Sequence, residues 1–329
     1  MKILITGGTG FIGSRLAAAC LASGDAVRVL GQTNNPVEAS NADEIRTRGG
    51  EILLGSVVDP ETVAKAAAGA EIVFHLAAAQ HEANVPDQHF WDVNVTGTQN
   101  LLEASARAGV RRFVHGSTIG VYGGRLGETV TDDSPSAPTN IYGITKRKAE
   151  EIVDASHGRL STVTIRISET YGPGDRRLLK LFRGLRKGRF FLIGAGENLH
   201  HLIYVDDLVE GLRFAATTED AAGETIVLAG GSPVSTRDLC AAIARELKVS
   251  PPRLHLPLRP LWLAAAAMET VLRPLSIAPP LHRRRMNFFL TSFSFTGDAA
   301  RAKLGFTART GLEQGLRQTA GWYRTAGLL

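Results

Sequence analysis

Lys2-Ile3-Leu4-Ile5-Thr6 leads without a break into Gly7-Gly8-Thr9-Gly10-Phe11-Ile12-Gly13. Few features narrow the choice of fold as much as this one. An apolar run of that length is a buried strand, and the residues that follow open a helix. Gly7 permits the tight turn between them. Gly10 lets the backbone approach a bound anion, and Gly13 lets helix and strand pack closely. The first amides of the helix are then free to hold a pyrophosphate. A glycine turn alone is a weak signal, but between a strand and a helix it predicts a dinucleotide site.

The rest of the first half keeps this rhythm. Strands are predicted at Ala26 to Leu30, Glu51 to Leu54, Glu71 to Leu76, Arg112 to Ser117 and Leu160 to Ile167. Helices are predicted at Ser14 to Ala22, Pro60 to Ala68, Phe90 to Ala108 and Tyr142 to Ser156. Alternation of this kind builds a parallel sheet with helices on both faces. The fold class expected is therefore α/β, a Rossmann-like doubly wound parallel sheet. After Tyr171 the rhythm breaks. Gly172-Pro173-Gly174-Asp175 is a loop, a basic helix spans Leu178 to Lys187, and short strands are expected near Phe190 to Ile193 and at Thr225 to Ala229. Asp206 is expected to cap a helix at Leu208 to Ala216. Pro251 to Pro260 reads as extended. This organisation predicts a dinucleotide-binding domain over 1–170, joined by 203–230, and a smaller C-terminal substrate lobe from 171–202 and 231–329.

Composition removes other classes. Of 329 residues, 44% are apolar and 21% charged, as in ordinary globular chains. Cys20 and Cys240 stand far apart, so neither a disulfide framework nor a zinc site is expected. No signal peptide precedes the first strand, which predicts a cytoplasmic protein. Leu261 to Met268 is the most membrane-like stretch, but a span needs about 20 apolar residues. The formal charge of +5 comes with two basic clusters, Arg176 to Arg189 and Arg283-Arg284-Arg285. Each reads as a solvated face or as a positive rim for an anionic substrate. No nucleic-acid module is recognisable.

Two further features point to redox chemistry. Tyr142 and Lys146 lie four apart on one helix face. A phenol is a poor base at neutral pH, and a neighbouring ammonium with an oxidised nicotinamide favours its phenolate. Tyr142 can then exchange a hydroxyl proton while hydride moves. Ser117 and Thr118 close the fifth strand, and carboxyl ends of parallel strands are where ligands bind. Asn94 reads either as an anchor for a water relay or as a helix–strand contact. The second strand ends Leu30-Gly31-Gln32-Thr33, without the acid that selects NAD or the Arg that accepts NADP. Gln32 can bind the ribose, and Gly31 leaves room for a 2′-phosphate. NAD is the first expectation and NADP the alternative.

With these motifs in place, the chain resembles the extended short-chain dehydrogenase/reductase family, the NAD-dependent epimerase/dehydratase group. The likeness is carried by TGGTGFIG from Thr6, VFHLAA from Val73, NVTGT from Asn94, VYG from Val121, YGITK from Tyr142, YGPGD from Tyr171 and YVDDLV from Tyr204. It implies Thr118, Tyr142 and Lys146 as catalytic residues. It implies a cofactor site of Gly7, Thr9, Gly10, Phe11, Ile12, Gly13, Gln32, Ser56, Val57, Leu76, Ala77, Ala78, Asn94, Ser117, Tyr142, Lys146 and Ile167. For substrate it implies Gln80, Ser117, Arg176, His200 and Arg285. A homodimer built on two helices, one of them Phe90 to Ala108, is usual in the family.

Departures from the family pattern narrow the reaction. Ile119-Gly120 stand where dehydratases carry Asp-Glu, and the Glu usual in family decarboxylases is missing too. His200-His201 replace an expected diphosphate-binding Arg, and Arg285 lies two positions from where a second is expected. A family Asp near Ser56 is absent. The first reading is a 4-epimerase or keto-reductase of a nucleotide sugar. The Pro-rich entry, a helix over Trp262 to Leu272 and Pro279-Pro280-Leu281 also resemble the 3β-hydroxysteroid dehydrogenase-like branch, so oxidation of an apolar alcohol is the alternative. A non-catalytic NAD(P)-binding module is the third, and the intact Thr118, Tyr142 and Lys146 speak against it.

Overall fold

The computed structural model describes residues 1–80, 85–124, 128–258, 260–263, 268 and 291–329. Arg283 to Arg285, most of the expected Trp262 to Leu272 helix, and Pro279 to Leu281 lie outside the described residues.

Seven strands form one sheet: β1 (Lys2–Thr6), β2 (Ala26–Gly31), β3 (Glu51–Leu54), β4 (Ile72–His75), β5 (Arg112–Thr118), β6 (Thr162–Ile167) and β7 (Thr225–Leu228). Their spatial order is β7-β6-β5-β4-β1-β2-β3, with every pairing parallel. Strand order reverses beside β1, so a crevice opens where the crossovers from β1 and β4 leave on opposite faces. Alternation along β1 divides the core. Ile3 and Ile5 pack with Val29, Phe74, Leu16, Leu208 and Leu212 on one face. Leu4 packs with Leu30, Val73, Phe113, Leu101 and Val153 on the other.

The helices α1 (Phe11–Ala22), α2 (Pro36–Thr47), α3 (Pro60–Ala67), α4 (Gly97–Arg107) and α5 (Ile141–Ala155) belong to this half. Helix α2 has no apolar stripe, and only Ala42 and Ile45 are buried. Its start is set by Asn35, whose side chain accepts from the amides of Val37 and Glu38, and by Pro36 in the first turn. The expected single helix over Phe90 to Ala108 is divided. A short helix, Asp87–Trp91, runs through a π-turn at Asp92–Thr96 before α4 begins. Such wide turns cluster at functional sites, and Asn94 sits in the middle of this one. Asp206 does not cap the helix that follows it. That helix starts at Val205, and Asp206 instead accepts from the Arg15 guanidinium at 2.6 Å, tying it to α1.

In the second half, α6 (Leu179–Arg186) buries Leu179, Leu181, Phe182 and Leu185 against Leu239, Ile243, Leu316 and Tyr323. Cys20 and Cys240 are buried and unpaired. Among the described residues, no helix is long and apolar enough to cross a membrane.

An ion pair with a buried carboxylate ties β5, β6 and α5 together near the carboxyl end of the sheet. Arg166 on β6 donates to both carboxylate oxygens of Glu150 on α5, at 3.0 and 2.8 Å. The Ser117 hydroxyl donates to the same carboxylate at 2.6 Å. Glu150 is 3% exposed at its side chain, so its charge depends on these donors. They hold its carboxyl below the usual range despite burial. Arg166→Leu leaves that charge to Ser117 and the half-exposed Arg147, which is 3.0 Å away, and is expected to cost at most about 3–5 kcal/mol, with Arg166→Leu plus Glu150→Leu costing less. Urea unfolding of the wild type and the two variants checks this.

Candidate active site

The crevice runs over the carboxyl ends of β2, β1, β4, β5 and β6. Of the residues expected at the cofactor site, all but Asn94 and Lys146 line it, and so do Thr118, Gln80 and Arg176. The glycine turn is built by close approach. A Cβ on Gly7 would stand 2.7 Å from the Ala77 nitrogen, and one on Gly13 would stand 2.4 Å from the Gly7 carbonyl oxygen. Helix α1 starts at Gly10 with no side-chain cap, so its first amides face the crevice without a competing acceptor. These features fit a pyrophosphate. Gly31 lines the crevice, and a Cβ there would meet the Thr9 hydroxyl at 2.7 Å, so a larger residue does not fit at this position. Gln32 accepts from the Asn34 side chain at 2.9 Å.

Thr118 ends β5, and its hydroxyl oxygen accepts from the Gly120 amide at 3.0 Å. Tyr142 lies in the first turn of α5, whose start is fixed by Asn140 accepting from the Gly143 amide at 3.0 Å. Burial pushes the Tyr142 phenol up to about 12, against the opposing pull of the Thr118 hydroxyl and of Arg177. Thr118 and Tyr142 therefore meet in the crevice.

Lys146 is one turn further on and 1% exposed. Its Nζ lies 3.3 Å from Nε2 of His115. An ammonium only donates, so His115 accepts there and carries its hydrogen on Nδ1, which is buried without a partner. Burial lowers Lys146 to about 8. The lysine thus sits behind the crevice wall, held against His115. Beneath it, His75 bridges the Thr6 and Thr98 hydroxyls at 2.7 and 2.9 Å. Burial, then Lys146, push His75 down to about 3.

Asn94 is fully buried. It accepts from the Ala79 amide at 2.9 Å and donates to the Ala79 carbonyl and the Thr145 hydroxyl. These bonds tie the π-turn to the segment that follows β4 and to α5. His200 is also placed away from the crevice, 2% exposed. Its Nδ1 lies 3.1 Å from both oxygens of Glu169, and its Nε2 lies 3.0 Å from the Thr236 hydroxyl. His201 is held between the Gly230 carbonyl and the Phe295 amide. Neither histidine faces the crevice as a diphosphate ligand, contrary to the expectation for His200. Arg285 lies outside the described residues. Ser117 lines the crevice, but its hydroxyl is turned to Glu150.

Several crevice residues escape the motifs. Glu169, Arg177 and Trp322 all line it. Burial would raise Glu169, but His200, Arg177 and the His201 amide hold its carboxyl below the usual range. The crevice therefore carries an anion two residues beyond Ile167, the cross-strand partner of Thr118. The signal available was its position at the end of a predicted strand.

A doubly wound sheet with a glycine-rich turn at its switch point and a Thr–Tyr pair beside it defines the dinucleotide-dependent oxidoreductases of the short-chain type. Residues 3–229 match the family model described as NAD dependent epimerase/dehydratase family, and the chain belongs to that family. It is 30% identical to the 4-hydroxy-2-methyl-3-oxo-4-farnesyl-3,4-dihydroquinoline-1-oxide ketoreductase of Stigmatella aurantiaca, over 96% of this chain and 95% of that protein. It is also 30% identical to the 2-alkyl-3-oxoalkanoate reductase of Stenotrophomonas maltophilia, over 97% and 98%. Among solved structures, MoeE5 in complex with UDP-glucose and NAD superposes with a TM-score of 0.77 at 26% identity, over 99% of each chain.

The buried imidazoles give a pH prediction. His75 and His115 stay neutral in the folded protein, whereas the unfolded chain protonates near 6.5. Their stabilising effect is complete above that pH and is lost as pH falls toward 3. His115→Leu should make this fall shallower, as read from urea midpoints between pH 7 and pH 4.

Proposed function

We propose that the protein is an NAD(P)-dependent oxidoreductase that interconverts a ketone and a secondary alcohol on a largely apolar body without a diphosphate. The observation that carries the chemistry is the meeting of Thr118 and Tyr142 in the crevice beside the glycine turn. A nicotinamide dinucleotide, NAD on the family pattern, supplies or accepts the hydride when bound. The α1 amides and Gly7, Gly10 and Gly13 hold its pyrophosphate. Tyr142 gives a proton to the carbonyl oxygen, or takes it back from the alcohol. Burial keeps the phenol protonated at neutral pH, so the proton is in place for the giving direction. Thr118 orients the same oxygen. Residues 1–170 with 203–230 serve the cofactor, and 171–202 with 231–329 serve the substrate.

Electrostatics favours the apolar class. A sugar diphosphate requires donors that converge on its charge. The candidate His200 is committed to Glu169, and Glu169 places a carboxylate in the crevice. Two relatives at 30% identity are named as reductases, one a ketoreductase and one of an oxoalkanoate. A nucleotide-sugar epimerase or keto-reductase is the second reading. It is favoured by Arg176 on the crevice wall and by the UDP-glucose bound in MoeE5.

Two measurements test the chemistry and then the substrate class. Tyr142→Phe should lower ketone-dependent oxidation of reduced cofactor by about 10²–10⁴-fold, with cofactor affinity unchanged by fluorescence titration. Wild-type rates in this variant would remove the assignment. UDP should bind the wild-type protein weakly, and Glu169→Gln should tighten it by about tenfold by removing a like charge. Tight UDP binding by the wild type restores the nucleotide-sugar reading.

A further inference from the structure

The basic stretch from Arg176 to Arg189 contains no acidic residue. Arg176, Arg177, Lys180, Arg183, Arg186, Lys187 and Arg189 are all exposed. Arg177 pairs with Asp175, and Arg183 donates to the Leu328 carbonyl. The other five hold no ion pair among the described residues. Helix α6 buries its leucines and Phe182 inward, which leaves its cations on the outer face.

A solvated basic face requires nothing beyond water, but this one continues into apolar surface. Phe191 follows directly and is 37% exposed, and Leu254 is 60% exposed. The two are brought side by side by the hydrogen bond from the Leu192 amide to the Leu254 carbonyl, 2.9 Å. Trp262 and Leu263, 37% and 63% exposed, come eight and nine residues after Leu254. Four of the seven large apolar side chains exposed among the described residues thus fall in two short segments, one directly after the basic helix and the other paired with it at Leu254. Exposed Trp, Phe and Leu flanked by Lys and Arg match the chemistry of a bilayer interface. There the rings and stems enter the headgroup layer while the cations meet lipid phosphates. Arg176 and Arg177 also line the crevice, so this surface reaches its rim.

We propose that α6, the adjoining Phe191 and Leu254, and Trp262 and Leu263 further along the same segment form a docking surface for an anionic lipid bilayer. The protein rests on the membrane reversibly through this face, with the crevice opening beside the headgroups. The inference is independent of the redox reading, because it requires lipid and not turnover.

The test is sedimentation of the intact protein with vesicles, either phosphatidylcholine alone or equal parts phosphatidylcholine and phosphatidylglycerol. Binding is expected to the anionic vesicles, to weaken with salt, and to blue-shift Trp262 emission in a protein whose Trp91 and Trp322 are replaced by Phe. The triple variant Lys180→Glu, Arg186→Glu, Lys187→Glu should bind at least about tenfold more weakly, with an unchanged unfolding midpoint. Should that variant misfold, Trp262→Ala with Leu263→Ala serves in its place. Tyr142→Phe should bind vesicles like the wild type while losing turnover, so failure here and failure of the redox reading are distinct. The proposal is overturned by absence of binding to anionic vesicles, by equal binding to both compositions, by undiminished binding of the folded charge variant, or by binding to polyuridylate but not to vesicles.

Discussion

At Gly13 a carbonyl oxygen occupies the space where a side chain would begin. The 2.4 Å separation between that oxygen and any added Cβ forces glycine, and the glycine lets α1 seat against the turn that ends β1. From that seat follow the uncapped amides at the crevice, the pairing of the Gly7 amide with the Leu30 carbonyl at 2.9 Å, and the angle at which α1 meets Arg15's partner Asp206. The switch point of the sheet is therefore fixed by a missing methyl group as much as by any attractive contact.

Behind the crevice the protein keeps its charges in two kinds of order. Glu150 is buried and ionised, satisfied by the partly buried Arg166 together with Ser117 and Arg147. His75, His115 and Lys146 meet burial the other way, by lower proton affinity. The neutral imidazoles let a lysine sit inside without a carboxylate in direct contact. Tyr142 and Thr118 stand at the boundary between this dry interior and the crevice, where a proton can be passed to a carbonyl oxygen. Glu169 is the exception, an anion that faces the crevice and is held from behind by His200.

Much of this was legible in the sequence. The strands of the first half announced themselves because parallel strands are buried on both faces and read as unbroken apolar runs. The glycine turn and the Tyr142–Lys146 spacing were readable because each is a local geometry. What failed was non-local. Helix α2 buries too little to leave a stripe, and only its Asn35-Pro36 start marks it. The π-turn at Asp92–Thr96 keeps helical composition while changing the register. The direction of the Lys146 ammonium and the commitment of His200 depend on His115 and Glu169, which come from other strands. Asp206 looked like a cap because an acid at a helix start usually is one; here Arg15, 191 residues away, takes it.

The last strand of the sheet has a consequence in time. β7, at Thr225–Leu228, arrives on β6 only after the basic helix and its loops have been made. A ribosome releasing the chain from its N-terminus exposes β6 as an open edge for the whole interval between residues 167 and 225. Such an edge pairs readily with other chains. The nascent protein is therefore most vulnerable to misassembly at a defined length. A fragment ending near residue 170, although it carries the glycine turn and the Thr–Tyr pair, should be prone to aggregate rather than to fold as an independent domain.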